Sequence, residues 1–346
     1  MTDPRPTNPA EYEAAKKRVT PQPAEFRPGV WSVPLPLREA LVPYTLCYLL
    51  LDNQGGVHLI DPGADSVENW KIVNEVLQQA GRSMTDVASV VVTHLHFDHI
   101  GMADRIREAS GARVVMHRFE QEAIDRGYGT VSPNRADLWG VPSQRREELL
   151  SVARERASRV HTQADELVVD GDRLVIPSRD VQVVWTPGHT YGHICLVSAD
   201  DDLVFTGDHV LPMLYPGLGL GGSTQDNPIA DYLAALGRIS TFDALETCPG
   251  HGYRFRGLAD RCEATAAHHR RRTADVAAVL DRLSFPTVWE VAATVTWSAG
   301  WDGLHGYALD SALSQTAMHV EFLGRNNELA LIRPRESGGG LQRVVE

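Results

Sequence analysis

The spacing of apolar residues predicts a chain in which strands and helices alternate. Residues 44–60 read "YTLCYLLLDNQGGVHLI", two apolar runs that flank a turn at Gly55 and Gly56, which is typical of paired strands. In "SVENWKIVNEVLQQAG" the apolar positions recur every three or four residues, which predicts a helix that ends at Gly81. "ASVVVTH" then predicts a buried strand, "GMADRIREASG" a helix and "ARVVMH" another strand. This order indicates an α/β layered fold.

The pattern changes in two later parts of the chain. Residues 118–165 are charged and lack strand patterning, which predicts a helical insertion. Strands resume with "RLVIP", "VQVVWTPGH", "HICLVSA" and "DLVFTGDH", and "NPIADYLAALGRIS" predicts a helix with Asn227 as N-cap and Pro228 at its first position. Residues 256–335 hold three helical patterns and a short strand, which predicts a small winged-helix-like appendage.

The predicted domain boundaries follow from these changes. Residues 29–255 form the main domain, residues 1–28 a Pro-rich flexible arm, and residues 336–346 a Gly-rich flexible tail. The net charge of −12 does not provide the basic surface expected of a general nucleic-acid binder. No apolar leader or membrane-length run is present, so we expect a cytoplasmic protein with no membrane partner. A homodimer is left open.

Candidate metal ligands concentrate in "VVTHLHFDHIG", residues 91–101. Residues two apart in an extended segment share a face, so His94 and His96 can bind one metal ion at the end of their strand. Asp98 and His99 fall where the chain turns into the next helix, and they can serve a second ion. Imidazole and carboxylate ligands suit Zn²⁺, with Fe or Mn as alternatives.

The remaining candidate ligands each lie in a Gly-marked loop just after a β-run, where an α/β scaffold places its chemistry. They are His189, Asp208 and His251. Seven ligands are enough for two metal ions per chain. We assign His94, His96 and His189 to one ion and Asp98, His99 and His251 to the other, with Asp208 between the two.

The motifs in this order resemble the metallo-β-lactamase-fold hydrolase superfamily. The resemblance covers "DPG" at Asp61, "THLHFDH", "TPGHTYGH", "TGDH" and "PGHG", over about residues 30–255. It implies an αββα sandwich with a binuclear site between two sheet edges. The Asp98–His99 pair, with Asp208 later, resembles the glyoxalase II, lactonase and ribonuclease branches rather than the true β-lactamases. The "PGHG" ending and the winged-helix-like tail resemble a branch that includes thioesterase-like enzymes. The resemblance also implies that Asp61 orients a ligand histidine or its loop without binding a metal ion. His193, four residues after His189, is expected to support the site or the fold rather than to bind a metal ion.

The expected function is hydrolysis of a small-molecule ester, thioester or lactone. A hydroxide bridging two zinc ions would be the nucleophile, and Asp98 or Asp208 would relay a proton to the leaving group. The insertion would shape the acyl pocket, with Tyr128 among its apolar residues. Two alternatives remain: a metal-dependent ribonuclease, and a mononuclear iron enzyme of the persulfide dioxygenase kind. The basic cluster Arg270–Arg272 is short, so a small acyl substrate is favoured over nucleic acid.

Overall fold

The computed structural model describes residues 4–38, 42–128, 135–221, 226–325, 332–334 and 341–343. The strands are β1 (Arg5–Pro6), β2 (Ala24–Arg27), β3 (Val30–Pro36), β4 (Tyr44–Leu51), β5 (Val57–Ile60), β6 (Val87–Val92), β7 (Arg113–His117), β8 (Glu166–Val168), β9 (Val181–Trp185), β10 (Ile194–Ser198), β11 (Leu203–Gly207), β12 (Glu246–Pro249), β13 (Phe255–Arg256), β14 (Ile332–Pro334) and β15 (Leu341–Arg343). The helices are α1 (Pro9–Lys17), α2 (Val67–Gln79), α3 (Phe97–Ile100), α4 (Ala103–Ser110), α5 (Arg118–Asp125), α6 (Arg135–Leu138), α7 (Ser143–Arg159), α8 (Pro228–Ile239), α9 (Leu258–Arg282), α10 (Val288–Thr294) and α11 (Gly306–Arg325).

Two sheets face each other at the centre of the molecule. The first has the order β2-β3-β4-β5-β6-β7-β8, antiparallel up to β5 and parallel from β5 to β8. The second has the order β1-β13-β12-β11-β10-β9, in which β11 and β12 run parallel. Tyr48 of the first sheet packs edge-on against Phe205 of the second, within an apolar cluster that fills the space between them. The two sheets therefore bury a shared core.

Helices cover the outer face of each sheet. Apolar residues of α2 and α4 join those of the first sheet in one cluster, and α8 and the start of α9 do the same for the second sheet. The predicted αββα sandwich is thereby confirmed. The predicted N-cap of α8 is also confirmed, since the Asn227 side chain accepts a hydrogen bond from the backbone N–H of Ile229. The predicted strand "RLVIP" is wrong, because within it only Arg173 makes a bridge, to Gln182.

The prediction of a flexible arm over residues 1–28 is wrong for the described residues 4–28. Strand β1 pairs with β13, β2 pairs with β3, and α1 lies between them in the chain. The carboxylate of Glu11, only 2% exposed, accepts hydrogen bonds from Nε and the backbone N–H of Arg254. Two oppositely charged groups buried together hold α1 against the second sheet, a contact that joins residues 243 positions apart.

The insertion and the appendage are both present and pack against each other. Helices α5, α6 and α7 lie within residues 118–165, and α9, α10 and α11 are followed by the antiparallel pair β14–β15. Val141 and Leu149 of the insertion share an apolar cluster with Leu309 and Leu313 of α11. Within the tail predicted over 336–346, residues 341–343 form β15, and the others lie outside the described residues. No described helix combines the length and apolarity needed to cross a membrane.

Candidate metal centre

Three histidines converge where β6 and the loop after β9 meet. His94 Nε2 lies 2.9 Å from His96 Nδ1, which in turn lies 3.1 Å from His189 Nε2. With zinc–nitrogen distances of about 2.0–2.1 Å, two tetrahedral ligands stand about 3.3 Å apart, so this spacing suits three ligands of one ion. His94 and His189 are buried, and His96 is half-buried. We call this group site one.

The outward-facing nitrogens of site one are tied to fixed acceptors. His189 Nδ1 donates to the carbonyl of Gly217 at 2.6 Å, which leaves the Nε2 lone pair directed at the site. His94 Nδ1 lies 3.0 Å from the hydroxyl of Thr93, whose proton is donated to Asp61, so the ring donates here too. Burial lowers the pKa of His94 well below its ordinary value, and burial also lowers the pKa of His189. Both rings are therefore neutral, as metal binding requires.

A second group lies beside the first. His251 Nε2 is 3.5 Å from Asp98 Oδ2, and His99 Nε2 is 3.9 Å from the same oxygen. His251 Nδ1 donates to the carbonyl of Tyr44 at 2.8 Å, and His99 Nδ1 donates to Asp61 at 2.8 Å, so both rings present Nε2 inward. We call Asp98, His99 and His251 site two.

The charges of site two favour protonated rings when no cation is bound. Burial alone would lower the pKa of His99, but the carboxylates of Asp208, Asp61 and Asp98 raise it to about 10. Asp208 and Asp98 likewise raise the pKa of His251 against the effect of burial. Metal binding at site two must therefore displace protons.

Asp208 lies between the two groups. Its Oδ1 is 3.4 Å from His251 Nε2 and 3.5 Å from His99 Nε2, while its Oδ2 is 3.7 Å from His189 Nε2. Burial would raise its pKa, but His251 and His99 hold the pKa of Asp208 well below its usual range. Its two oxygens thus face one site each.

The donor set fits two metal ions. His99 Nε2 and Asp208 Oδ1 are buried without a hydrogen-bond partner among the described residues, and both point into site two. A buried polar atom left unpaired is costly, and a cation satisfies both atoms at once. The ligand atoms of each site also lie within 4.8 Å of one another. The structure thus brings together all seven residues assigned from the sequence. The division between two ions stays a prediction, because ligand atoms of Asp61, His94 and His99 also lie within 4.8 Å of one another.

Asp61 occupies the position of an orienting group. Its Oδ1 accepts the backbone N–H of Thr93 at 2.7 Å, and its Oδ2 accepts from the Thr93 hydroxyl and from His99 Nδ1. One carboxylate therefore fixes a ring of site two directly and a ring of site one through Thr93. Asp61 has a φ of +52°, a left-handed conformation that Asp tolerates better than most residues.

His193 supports the backbone of Asp208. It is fully buried, its Nδ1 lies 2.9 Å from the Thr186 hydroxyl, and its Nε2 accepts the backbone N–H of Asp208 at 3.2 Å. Burial lowers the pKa of His193 well below its ordinary value, which keeps the Nε2 lone pair available for this hydrogen bond. We propose that it orients Asp208 and, as expected from the sequence, does not bind a metal ion itself.

Glu120 is a residue of this centre that the sequence did not reveal. It lies in α5 and is 1% exposed; its Oε2 accepts the backbone N–H of Leu95 at 2.7 Å, and its Oε1 accepts that of Gly192 at 2.6 Å. Burial raises the pKa of Glu120 to about 7, against the effect of these donors. The one signal available in the sequence was its place just after β7, at the sheet edge that carries the ligands.

An open cleft leads to the two sites, and its empty space of about 520 Å³ includes a part that is open to solvent. Two candidate ligands, His96 and Asp98, lie on its floor. Phe97, Tyr128, Val160, Leu220 and Tyr307 form its walls. These walls come from the insertion, the loop before α8 and the appendage, as well as from the sandwich itself. Tyr128 was expected in such a pocket, whereas Tyr307 was not.

Comparison with known proteins identifies the same region of the chain. The family model described as "Metallo-beta-lactamase superfamily" matches residues 41–251. "Lactamase-like protein adaB" of Aspergillus niger is 24% identical over 228 residues, 65% of this chain and 55% of that protein. The chain thus spans about half the length of that relative. "Probable metallo-hydrolase YqjP" of Bacillus subtilis is 25% identical over 77% of this chain and 83% of that protein.

A further relative and two solved structures extend the comparison. "Hydroxyacylglutathione hydrolase" of Maricaulis maris is 25% identical over 55% of this chain and 58% of that protein. A β-lactamase domain protein from Burkholderia ambifaria superposes with a TM-score of 0.78 at 24% identity, covering 93% of this chain and 94% of the other. A metallo-β-lactamase family protein from Thermus thermophilus gives 0.69 at 25% identity, covering 91% and 98%.

Proposed function

Because this chain belongs to the metallo-beta-lactamase superfamily, a superfamily of metal-dependent hydrolases, we propose that it is a binuclear enzyme that hydrolyses ester or thioester bonds of small molecules. The position of Asp208 supports the binuclear assignment most directly. Its two oxygens lie 3.4 Å from a ring nitrogen of site two and 3.7 Å from one of site one. Two zinc ions suit this mixture of imidazole and carboxylate donors, and iron or manganese would be alternatives.

The chain's own residues supply orientation and proton transfer. When bound, a pair of divalent ions would lower the pKa of a water molecule and polarise the substrate carbonyl. Asp208, held as a carboxylate between the sites, would orient that water and accept its proton. That proton would then pass to the departing oxygen or sulfur, either from Asp208 directly or through Asp98, which is half-buried at the floor of the cleft. No serine or cysteine nucleophile is required.

Three observations favour an acyl substrate over RNA. The cleft is walled by apolar and aromatic side chains, and a relative named hydroxyacylglutathione hydrolase matches at 25% identity. The basic cluster of the appendage is partly used within the protein, because Arg270 pairs with Glu263 and Arg272 donates to the carbonyl of Thr296. Phosphate recognition needs several exposed cations arranged along a backbone, which this short cluster does not offer.

The test is a substrate panel on zinc-loaded protein: acyl-thioesters, carboxylic esters, lactones, a β-lactam and single-stranded RNA. We expect turnover of a thioester or ester, lost in Asp208→Asn purified in the same way, which excludes a contaminating hydrolase. Cleavage of RNA with no ester or thioester turnover would overturn the proposal in favour of the nuclease. Reproducible isolation with one iron ion per chain, together with persulfide oxidation, would overturn it in favour of the oxygenase.

A further inference from the structure

The C-terminal appendage contributes a side chain to the cleft above the metal centre. Tyr307 is the second residue of α11, is 40% exposed, and lines the same cleft as His96 and Asp98. We propose that Tyr307 contacts the substrate and selects esters or thioesters that carry an apolar, uncharged acyl group. This inference rests on the proposed function and names the substrate class of the same site.

The walls of the cleft indicate the chemistry of the group that fits there. Tyr128 and Val160 of the insertion are buried and line the cleft, and Leu220 lies on the loop before α8. Among the described residues that line the cleft, none is lysine or arginine. Away from the metal ions, a phosphate or carboxylate held between these walls would lose water without gaining a cationic partner, which is unfavourable, whereas an alkyl or aryl group gains from leaving water.

The acyl side of the substrate suits this cleft better than the leaving group. A departing alkoxide or thiolate develops negative charge and needs a proton, and walls of this kind would solvate it poorly. The acyl group stays neutral until the new carboxylate forms at the metal centre. We therefore assign the cleft to the acyl group.

Tyr307 is fixed by contacts between the appendage and the insertion. The backbone N–H of Gly306 donates to Glu148 Oε1 at 2.5 Å, and Arg145 Nη2 donates to the carbonyl of Leu304 at 2.9 Å. Arg145 and Glu148 also pair with each other at 2.7 Å on helix α7. Leu304, 6% exposed, anchors this segment in the apolar cluster shared by the insertion and the appendage. The position of Tyr307 over the cleft is thus set by the native packing of both segments.

Helix α11 also supports the loop that faces the site-one histidines. A Cβ atom on Gly219 would come within 2.1 Å of Met318 Cε, so the loop packs directly on α11 at this point. The neighbouring carbonyl of Gly217 accepts from His189, and that of Leu220 lies 3.4 Å from His96 Nε2. The appendage is therefore built into the wall of the active site, which favours a role in substrate selection.

The experiment measures kcat/KM for linear acyl-thioesters from acetyl to decanoyl with one constant leaving group, on zinc-loaded wild type, Tyr307→Ala and Tyr307→Phe. We expect Tyr307→Ala to lose about tenfold in kcat/KM for octanoyl and to stay within about twofold for acetyl, since only the long chain reaches the tyrosine ring. Tyr307→Phe should keep most of the octanoyl rate, because the ring supplies the apolar contact. Phe285→Ala, which removes an exposed aromatic ring elsewhere on the appendage, should match wild type.

Three results would overturn the inference. One is an equal loss for acetyl and octanoyl in Tyr307→Ala, which would indicate a structural role. Another is an unchanged chain-length profile in that variant. The third would come from a second series of thioesters with a constant acyl group and varied leaving groups: an effect of Tyr307→Ala on kcat/KM in that series alone. If wild type turns over no ester or thioester, the proposed function fails instead. Calorimetric binding of octanoate to wild type and to Tyr307→Ala still tests the cleft. Equal affinity would refute the contact with Tyr307, and weaker binding by the variant would support it.

Discussion

The backbone N–H of Gly192 donates a 2.6 Å hydrogen bond to Glu120 Oε1, and a Cβ atom at position 192 would lie only 2.5 Å from the backbone nitrogen of Glu120. The other oxygen of Glu120 accepts from Leu95, between His94 and His96. One buried carboxylate therefore joins the loop that carries His94 and His96 to the loop that carries His189.

We expect Glu120→Gln to weaken metal binding while the protein still folds. The amide can accept from one loop, but its NH₂ group would face the backbone N–H of the other and push the two loops apart. Loss of an outer group of this kind lowers metal affinity by about 10–100-fold. Competition with a chromophoric chelator measures the affinity, and the absorption of the cobalt-substituted protein reports the geometry of site one.

The matched control is Glu122→Gln, two residues further along α5, where the side chain is exposed and pairs with Arg126. It should bind metal like wild type. Since burial raises the pKa of Glu120 to about 7, the alternative is that Glu120 already carries a proton at neutral pH. In that case Glu120→Gln would mimic the native state, and an unchanged affinity would refute clamping by an ionised carboxylate.

Asp208→Asn should abolish hydrolysis with little loss of folding stability. The amide keeps the shape of the side chain but replaces one carboxylate oxygen by a donor, so it can no longer serve both sites. We expect the metal content to fall below two ions per chain by elemental analysis and the turnover of a good thioester to fall by at least about a thousandfold. Retained turnover with two ions bound would contradict the bridging role.

His193→Ala provides the comparison for Asp208. It removes the acceptor of the Asp208 backbone N–H but no candidate ligand, so activity should fall by about 10–100-fold while two metal ions are still bound. His189→Ala, which removes a candidate ligand, should be far less active. If His193→Ala were as inactive as His189→Ala while Asp208→Asn stayed active, the division of roles would be wrong.

Charge reversal separates the ester hydrolase from the nuclease. Arg270 and Arg271 are exposed, whereas Arg272 donates to the carbonyl of Thr296 and lies over the ring of Trp297. Arg270→Glu with Arg271→Glu should therefore leave thioester turnover within about threefold of wild type. Arg272→Glu should lower the melting temperature, because it breaks a structural contact. Salt-dependent RNA binding that the double variant abolishes, together with RNA cleavage by wild type, would favour the nuclease instead.

The sequence was sufficient to predict that the candidate ligands lie together, because each is in a short motif close after an apolar strand. His94, Asp208 and His251 follow β6, β11 and β12, so the strand ends alone bring them to one edge of the sandwich. The division into two sites also follows locally, since His94 and His96 are two residues apart, whereas Asp98 and His99 lie in the first turn of α3.

The residues that the sequence did not reveal depend on partners far along the chain. Glu11 is buried because Arg254 neutralises it, and Tyr307 reaches the cleft because α7 and α11 pack together. His269 sits among arginines in "AHHRRR", a pattern typical of a solvated helix face, yet it is 1% exposed against α8 and α11. Periodicity within one element carries no information about which distant element will cover it.

The buried histidines of the appendage have a consequence for acid stability. The ring of His269 packs edge-to-face against Tyr232 of α8, and its centre is 6.5 Å from the ring centre of His319 of α11. Neither ring nitrogen of His269 has a hydrogen-bond partner among the described residues. His319 Nδ1 donates to Thr273, whose own proton goes to the carbonyl of His269. Burial lowers the pKa of His269 and of His319 to about 3, with His268 and Arg272 acting in the same direction.

We expect His269→Leu to make the protein less sensitive to acid. The pKa of His269 is about 3 in the folded chain and about 6.5 in the unfolded chain. At a pH between these values His269 takes up a proton only when the chain unfolds. Its contribution to stability is therefore present above pH 6.5 and is lost as the pH falls towards 3. From pH 7 to pH 5 one such histidine costs about 2 kcal/mol. The free energy of unfolding, measured by urea denaturation at pH 7 and at pH 5, should therefore fall by about 2 kcal/mol less in His269→Leu than in wild type.

The ligand histidines are the same in both proteins, so the difference isolates His269. The control His161→Leu, at an exposed position, should behave like wild type. An equal fall in wild type and His269→Leu would show that His269 is not held neutral between α8, α9 and α11.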